Sequence, residues 1–171
     1  MKFNITSVCF LNDYNKQVCT IVSDKLDFYY ADVNDFLEFN MVNANEVISL
    51  CGVEYLEKLE TDSVKNVASF ENAVISIEPR LFVNKKNSDS LKKNGLIIYV
   101  KMPKKLYADQ IAKQKKDKQD EMLNILNVYD DYDNICSKNA DIILECKNIN
   151  EKALSRKMLK HIKMYFTDNK L

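Results

Sequence analysis

Apolar and polar positions follow one another along this chain in blocks that read strand, loop, helix, and then repeat. Ile5 to Phe10 is a short apolar run of β-branched character; after a polar turn, Val18, Ile21, Val22 and Leu26 recur at helical spacing. Phe28-Tyr29-Tyr30-Ala31 predicts a second strand ending at Asp32. Asp35 to Phe39 and Glu46 to Leu50 predict short helices, and a longer one runs from about Val53 to Phe70 with Leu56, Leu59, Val64 and Val67 on one face. Ala73 to Ile77 predicts a third strand, broken at Pro79. Ser88 to Asn94 reads as a short helix closed by Gly95 as a left-handed stop, before a fourth strand from Leu96 to Val100. Lys104 to about Val128 is helical and lysine-rich, with a second helical piece near Ile135. Asp141 to Glu145 is a fifth strand, and Asn150 to Phe166 a closing helix with Leu154, Met158, His161, Ile162 and Tyr165 in register.

Five short hydrophobic strands alternating with helices imply an α/β fold: a three-layer sandwich with a five-stranded parallel sheet flanked by helices. No repeat, low-complexity tract or Pro/Gly linker divides the 171 residues, so one domain is expected over 1–171. Ligands in such sheets bind outside the carboxyl ends of the strands, which directs attention to the loops at 11–17, 32–34 and 78–84.

Composition sharpens this picture. The chain has only two glycines, Gly52 and Gly95, and neither follows the first strand, where a phosphate-cradling loop would need them. Lys plus Arg equals Asp plus Glu at 25 each, so no global field gathers nucleic acid or an anionic membrane, and neither is expected as a partner. Arg80 and Arg156 are the only arginines, which leaves little for bidentate recognition of phosphate or carboxylate. The five cysteines, at 9, 19, 51, 136 and 146, are odd in number, widely spaced and mostly set in apolar runs. They suit reduced thiols, and with no CxxC or Cys/His cluster no metal site is expected. No apolar run approaches the roughly 18 residues of a bilayer span, and Met1-Lys2-Phe3-Asn4-Ile5 is too polar to begin a signal peptide. A cytoplasmic location is the expectation.

Several strings stand in a telling order. They are Ile5-Thr6-Ser7-Val8-Cys9-Phe10, then Lys25-Leu26 followed by Tyr30-Ala31-Asp32, then Gly52-Val53-Glu54-Tyr55-Leu56-Glu57-Lys58-Leu59-Glu60. Glu71 to Ser76, Leu91 to Val100 and Ala140 to Leu144 continue the series at matching spacings. Through them the chain resembles the shikimate kinase family over nearly its whole length, and the resemblance implies a P-loop nucleoside-monophosphate-kinase-like fold with a lid-like segment at about 104–128.

The resemblance also implies a site, and there the chain departs from the family. The family's G-x-x-x-x-G-K-[ST] loop holds nucleotide phosphates and Mg²⁺; the corresponding positions here are Cys9, Tyr14, Asn15 and Lys16. Tyrosine does not cheaply adopt a glycine's backbone geometry, Asn15 is neutral, and Asp13 adds negative charge. Lys16 substitutes only if the loop slips by one residue, and Gln17 would then offer the metal no hydroxyl. The D-x-D pair is Asp32-Val33-Asn34, with only the first carboxylate kept. The arginine that grips the substrate carboxylate is Glu57, the Gly-Gly-Gly turn is Glu78-Pro79-Arg80, a later arginine falls near Tyr132, and 104–124 contains no arginine.

The implied site is therefore vestigial: a nucleotide loop of Asn12, Asp13, Tyr14, Asn15, Lys16 and Gln17, the pair Asp32 and Asn34, and a substrate cleft of Glu57, Glu78, Pro79, Arg80 and Tyr132. No catalytic residue, cofactor or metal is expected. The leading expectation is a catalytically inactive binding or regulatory scaffold whose partner is a protein, itself or an active relative. The alternative is a diverged small-molecule kinase or anion binder that uses Lys16, Arg80 and the lid lysines, with Mg-ATP if it is active; a third reading is a genuine shikimate kinase with a shifted loop register. Plainer roles compete with these. Lys16 reads as a solvated lysine, Asp32 as a helix N-cap, and Arg80 as the partner of Glu57 or Glu78. Lys113, Lys115, Lys116 and Lys118 read as a solvated helix face, His161 as a packed residue, Tyr14 as a plug in the nucleotide pocket, and Cys9 and Cys19 as small buried hydrophobes.

Overall fold

A computed structural model describes residues 3–40, 43–113 and 123–168. Its strands are β1 (Asn4–Val8), β2 (Tyr29–Asp32), β3 (Ala73–Ile77), β4 (Gly95–Lys101) and β5 (Ile142–Glu145), arranged as one parallel sheet in the order β2-β3-β1-β4-β5. The central strands β1 and β3 are buried at every position, as a parallel sheet covered on both faces requires, whereas the edge strands β2 and β5 are partly exposed. The predicted α/β sandwich is the observed fold.

The helices are α1 (Asn12–Leu26), α2 (Val33–Asn40), α3 (Ala44–Cys51), α4 (Val53–Ala68), α5 (Pro79–Phe82), α6 (Lys85–Lys92), α7 (Lys104–Ile111), α8 (Tyr129–Asn139) and α9 (Glu151–Asp168). Their ends follow local chemistry. Asn43 and Asn84 accept first-turn amides with their side-chain oxygens, Pro79 opens α5 at the first helical position, and Asp27 closes α1 in the left-handed region at φ 56°. α1 packs on α9, while α2, α3 and α6 all pack on α4. Ile5, Ile75, Leu96, Ile97 and Ile98 are fully buried between these layers, each stabilising the fold by about 1.5–3 kcal/mol.

Four local expectations are corrected. The first strand stops at Val8, and the residues read as a loop at 12–17 are already helical. Glu78-Pro79-Arg80 is not a bare turn but leads into a short helix, because proline's fixed φ suits a first helical position. The helix before β4 spans Lys85–Lys92, earlier than expected. Gly95 is no left-handed stop: it is the first residue of β4, and a Cβ there would lie 2.7 Å from the Asn4 carbonyl oxygen, so glycine is set by close approach of β1. The left-handed glycine is Gly52, at φ +87° in the corner between α3 and α4. The middle of the expected 104–128 helix, including Lys115, Lys116 and Lys118, lies outside the described residues.

Candidate functional site

A cleft of about 410 Å³ opens beside the carboxyl ends of β1 and β3. It collects Asn12, Asp13, Tyr14, Lys16, Gln17, Asn34 and Glu78 of the sequence-derived site. Asn15, Asp32, Glu57, Pro79, Arg80 and Tyr132 do not line it. Glu38, Gln110, Ile125, Ile149 and Glu151 do, as does an aromatic wall that the sequence did not flag. That wall is Phe10 and Tyr107, 5.5 Å apart between ring centroids; behind it Tyr129, which does not line the cleft, stacks on Phe10 at 4.1 Å and lies 5.6 Å from Tyr107. Only the unusual apolar Phe10-Leu11 step at a strand end hinted at it.

The turn after β1 decides the chemistry. Only Cys9, Phe10 and Leu11 separate β1 from α1, and Asn15 N–H already donates to the Leu11 carbonyl at 2.9 Å. A phosphate cradle needs a wide loop whose amides converge on one anion. Here residues 12–16 are wound into α1, and Asp13 places a carboxylate in its first turn.

Asn15, at the position of the family's lysine, is 1% exposed and faces β1. Its amide Nδ2 donates to the Ser7 carbonyl at 2.9 Å, and Ser7 Oγ donates to Asn15 Oδ1 at 2.6 Å. Tyr14 forms one wall of the cleft rather than a plug, since its hydroxyl turns to the segment after β5, accepting from Asn150 N–H at 3.3 Å and from Cys146 Sγ at 3.8 Å. Burial raises the Tyr14 hydroxyl above the usual tyrosine range, and the neighbouring Cys146 adds to the shift.

Lys16 is only partly exposed and is already paired with carboxylates. Its ammonium bonds to the Asp35 carboxylate and lies 3.3 Å from Asp32 Oδ1. Burial pulls the Lys16 pKa down, but the bond to Asp35 and the charges of Asp32 and Asp35 together outweigh it and leave the group above its ordinary value. Asp32 is 5% exposed and fully engaged. It caps α2 by accepting from Asp35 N–H at 2.9 Å, and it also accepts from Ser76 Oγ, which in turn contacts the Tyr30 hydroxyl at 2.8 Å. The N-cap reading of Asp32 matches this geometry.

Arg80 pairs internally. Its guanidinium reaches Glu60 at 2.7 Å and Glu78 at 3.0 Å; Glu57, the other expected partner, lies one helical turn before Glu60 and is exposed. Tyr132 packs against the core from α8. His161 is half-buried and bonds the Lys157 carbonyl through Nδ1 at 2.8 Å.

Among the described residues, the cleft thus presents Asp13, Glu38 and Glu151, with Glu78 already paired to Arg80, against a single, already paired lysine. Each carboxylate within about 4 Å of a phosphate charge would oppose it by about 1–4 kcal/mol. No group of three or more His, Cys, Asp or Glu is placed to hold a metal ion among the described residues. These residues do not fit Mg-ATP: the amides are wound into a helix, the amine is replaced by a buried carboxamide, and the lining charge has the wrong sign. Two residues of the lining, Asn12 and Asn34, each hold a buried side-chain oxygen without a hydrogen-bond partner.

Comparison with known proteins places the chain in context. A family model described as Shikimate kinase matches residues 16–163. A shikimate kinase of Caldicellulosiruptor bescii is 27% identical over 116 residues, which span 67% of this chain and 64% of that protein. Solved structures are similar at the level of the fold. A shikimate kinase from Aquifex aeolicus superposes with a TM-score of 0.77 at 20% identity, covering 95% of this chain and 97% of that one. One from Acinetobacter baumannii, in complex with shikimate, gives 0.78 at 17% identity with 95% and 93% covered. No helix among the described residues is long and apolar enough to cross a membrane.

Proposed function

The chain belongs to the shikimate kinase family, and we propose that within it this protein is a non-catalytic member, a binding or regulatory scaffold that acts on a protein partner. One observation carries the reading: residues 12–16 form the first turns of α1, with Asn15 bound into β1 through Ser7. Phosphoryl transfer relies almost wholly on positioning and on charge stabilisation, and each such donor commonly supplies about 2.7–4 kcal/mol. The winding takes away the amide cradle, and Asn15 in place of lysine takes away the amine. Asn34 in place of the second carboxylate and Glu57 in place of the substrate-binding arginine take away two further contributions.

A thermal-shift screen with ATP, ADP, shikimate and sulfate, each with and without Mg²⁺, tests this reading alongside a coupled assay for shikimate phosphorylation. The expected result is no stabilisation by Mg-ATP and no turnover. Saturable stabilisation by Mg-ATP together with phosphorylated shikimate would overturn it.

The open cleft favours one second reading, a small-molecule binder. A lining that sets Phe10 and Tyr107 among Asp13, Glu38 and Glu151 suits a neutral, hydrogen-bond-donating ligand better than an anion. Stabilisation by a neutral compound without Mg-ATP would support it.

A further inference from the structure

The first structural layer beyond the cleft carries an unpartnered face of unusual charge. Between Asp27 and Glu57 the sequence holds seven carboxylates and no Lys, Arg or His, although the whole chain is neutral. That stretch builds β2, α2, α3 and the start of α4. α3 buries none of its residues, and the corner at Gly52 leaves Leu50 at 76%, Val53 at 55% and Tyr55 at 46% exposed. Phe39, in the last turn of α2, is 90% exposed. Leu50, Val53 and Tyr55 gather at that corner, and Phe39 stands on α2, which packs on α4; exposed apolar side chains clustered in this way often mark a binding surface. Around this cluster Glu38, Glu46, Glu54 and Glu57 are exposed, against one exposed cation at the edge, Lys58 on α4, and no ion pair holds any of these glutamates among the described residues. Asp32 and Asp35 are different, being already paired with Lys16.

We propose that the α2–α4 face is the docking surface for a protein partner that presents an apolar ridge flanked by lysine or arginine. The proposal rests on the scaffold reading above and gives it a location and a partner chemistry. Apolar anchors ringed by one sign of charge form the anatomy of an interface core and rim, with the rim selecting the partner. A second copy docked through the same face would set four unpaired glutamates against four others, and like charges across an interface oppose association. A basic partner turns the same rim into an attraction, and Phe39 and Leu50 are the anchors it would cover.

The test uses two synthetic amphipathic helical peptides with the same leucine face, one flanked by lysines and the other by glutamates. Binding to the full chain is read by fluorescence anisotropy at about 0.15 M salt, where distant surface charges are screened. The lysine peptide should bind saturably and the glutamate peptide should not. Leu50→Ser, Phe39→Ser and the double variant Glu46→Lys/Glu54→Lys should each weaken binding at least tenfold. Asp89→Lys, an exposed reversal on α6, should leave it unchanged. Both apolar anchors are solvent-exposed, so melting curves should match the parent and separate lost binding from lost folding.

Equal weakening by Asp89→Lys, full binding to Leu50→Ser, or capture of the glutamate peptide would overturn the proposal. So would a dimer, seen by light scattering, that Leu50→Ser dissolves, since a second copy would then cover the face. The coupled kinase assay on the same preparations keeps the two readings apart: turnover removes the scaffold reading, whereas absent turnover with absent peptide binding removes only the docking surface.

Discussion

Replacing Asn15 with lysine restores the side chain of the family's nucleotide loop and tests whether the proposed loss of nucleotide binding lies in the side chain or in the backbone. Asn15 is 1% exposed, Ser7 is fully buried, and two hydrogen bonds of 2.6 and 2.9 Å join them. An ammonium cannot accept from the Ser7 hydroxyl, and it is costly to hold without water against the β1 backbone, so the new side chain must swing out. Each lost bond contributes about 0.5–1.5 kcal/mol, and leaving the Ser7 hydroxyl without an acceptor adds about 1–3 kcal/mol. Asn15→Lys should therefore destabilise the chain by about 2–6 kcal/mol, a fall in Tm of about 4–24 °C at this size. Thermal melts with and without millimolar Mg-ATP read both consequences. The variant should melt lower and gain nothing from Mg-ATP, because its amides remain inside α1. A variant as stable as its parent, or one that Mg-ATP stabilises saturably, would refute the argument that backbone winding, rather than a missing amine, abolishes the cradle.

Other changes probe the same framework. Burial raises the Cys9, Cys19 and Cys136 thiols, the latter two up to about 12. Above about pH 8.5 the unfolded chain releases thiol protons that the folded chain keeps. Stability is then complete below that pH and lost as the pH rises toward the folded values, so Tm should hold to about pH 8 and fall beyond it; a flat profile to about pH 10.5 would contradict this. Gly95→Ala sets a Cβ 2.7 Å from backbone in the neighbouring strand and should cost about 1–3 kcal/mol in urea unfolding, with a change below about 0.5 kcal/mol counting against close approach. Arg80→Ala removes contacts to Glu60 and Glu78 by a side chain that is 40% exposed, so the loss should be only about 1 kcal/mol and should shrink at high salt. A loss that ignores salt would mean that packing, not charge, holds Arg80 in place.

The sheet was legible because Ala73 to Ile77 and Leu96 to Val100 are uninterrupted apolar runs bounded by breakers, a signal that survives without tertiary context. Asp32 as an N-cap was legible for a similar reason, since the chemistry is local. Gly95 was misread because its constraint comes from Asn4, ninety-one positions earlier in sequence, through a strand register that no local window contains. The winding of residues 12–16 was also hidden: Asn and Asp suggest a turn, but with no glycine to adopt positive φ the backbone has no reason to leave the helical region. α5 spans four residues, too few to show any period. The aromatic cluster joins Phe10 of the β1–α1 connection to Tyr107 of α7 and Tyr129 of α8, and their meeting is a property of topology alone.

The hydroxyl of Tyr14 bonds a backbone amide 136 positions later, which also constrains how the chain folds. β1 precedes both of its sheet neighbours in sequence, and neither β3 nor β4 can reach it without closing a loop of many tens of residues. Parallel pairing of this kind is slow, because chain entropy is lost before contacts reward it. During synthesis β1 and α1 must wait, first for their flanking strands and finally for the segment around Asn150 that seals Tyr14. A ribosome paused before that segment would hold out a nearly complete sheet with an unsealed first helix, the species most open to a chaperone or to aggregation.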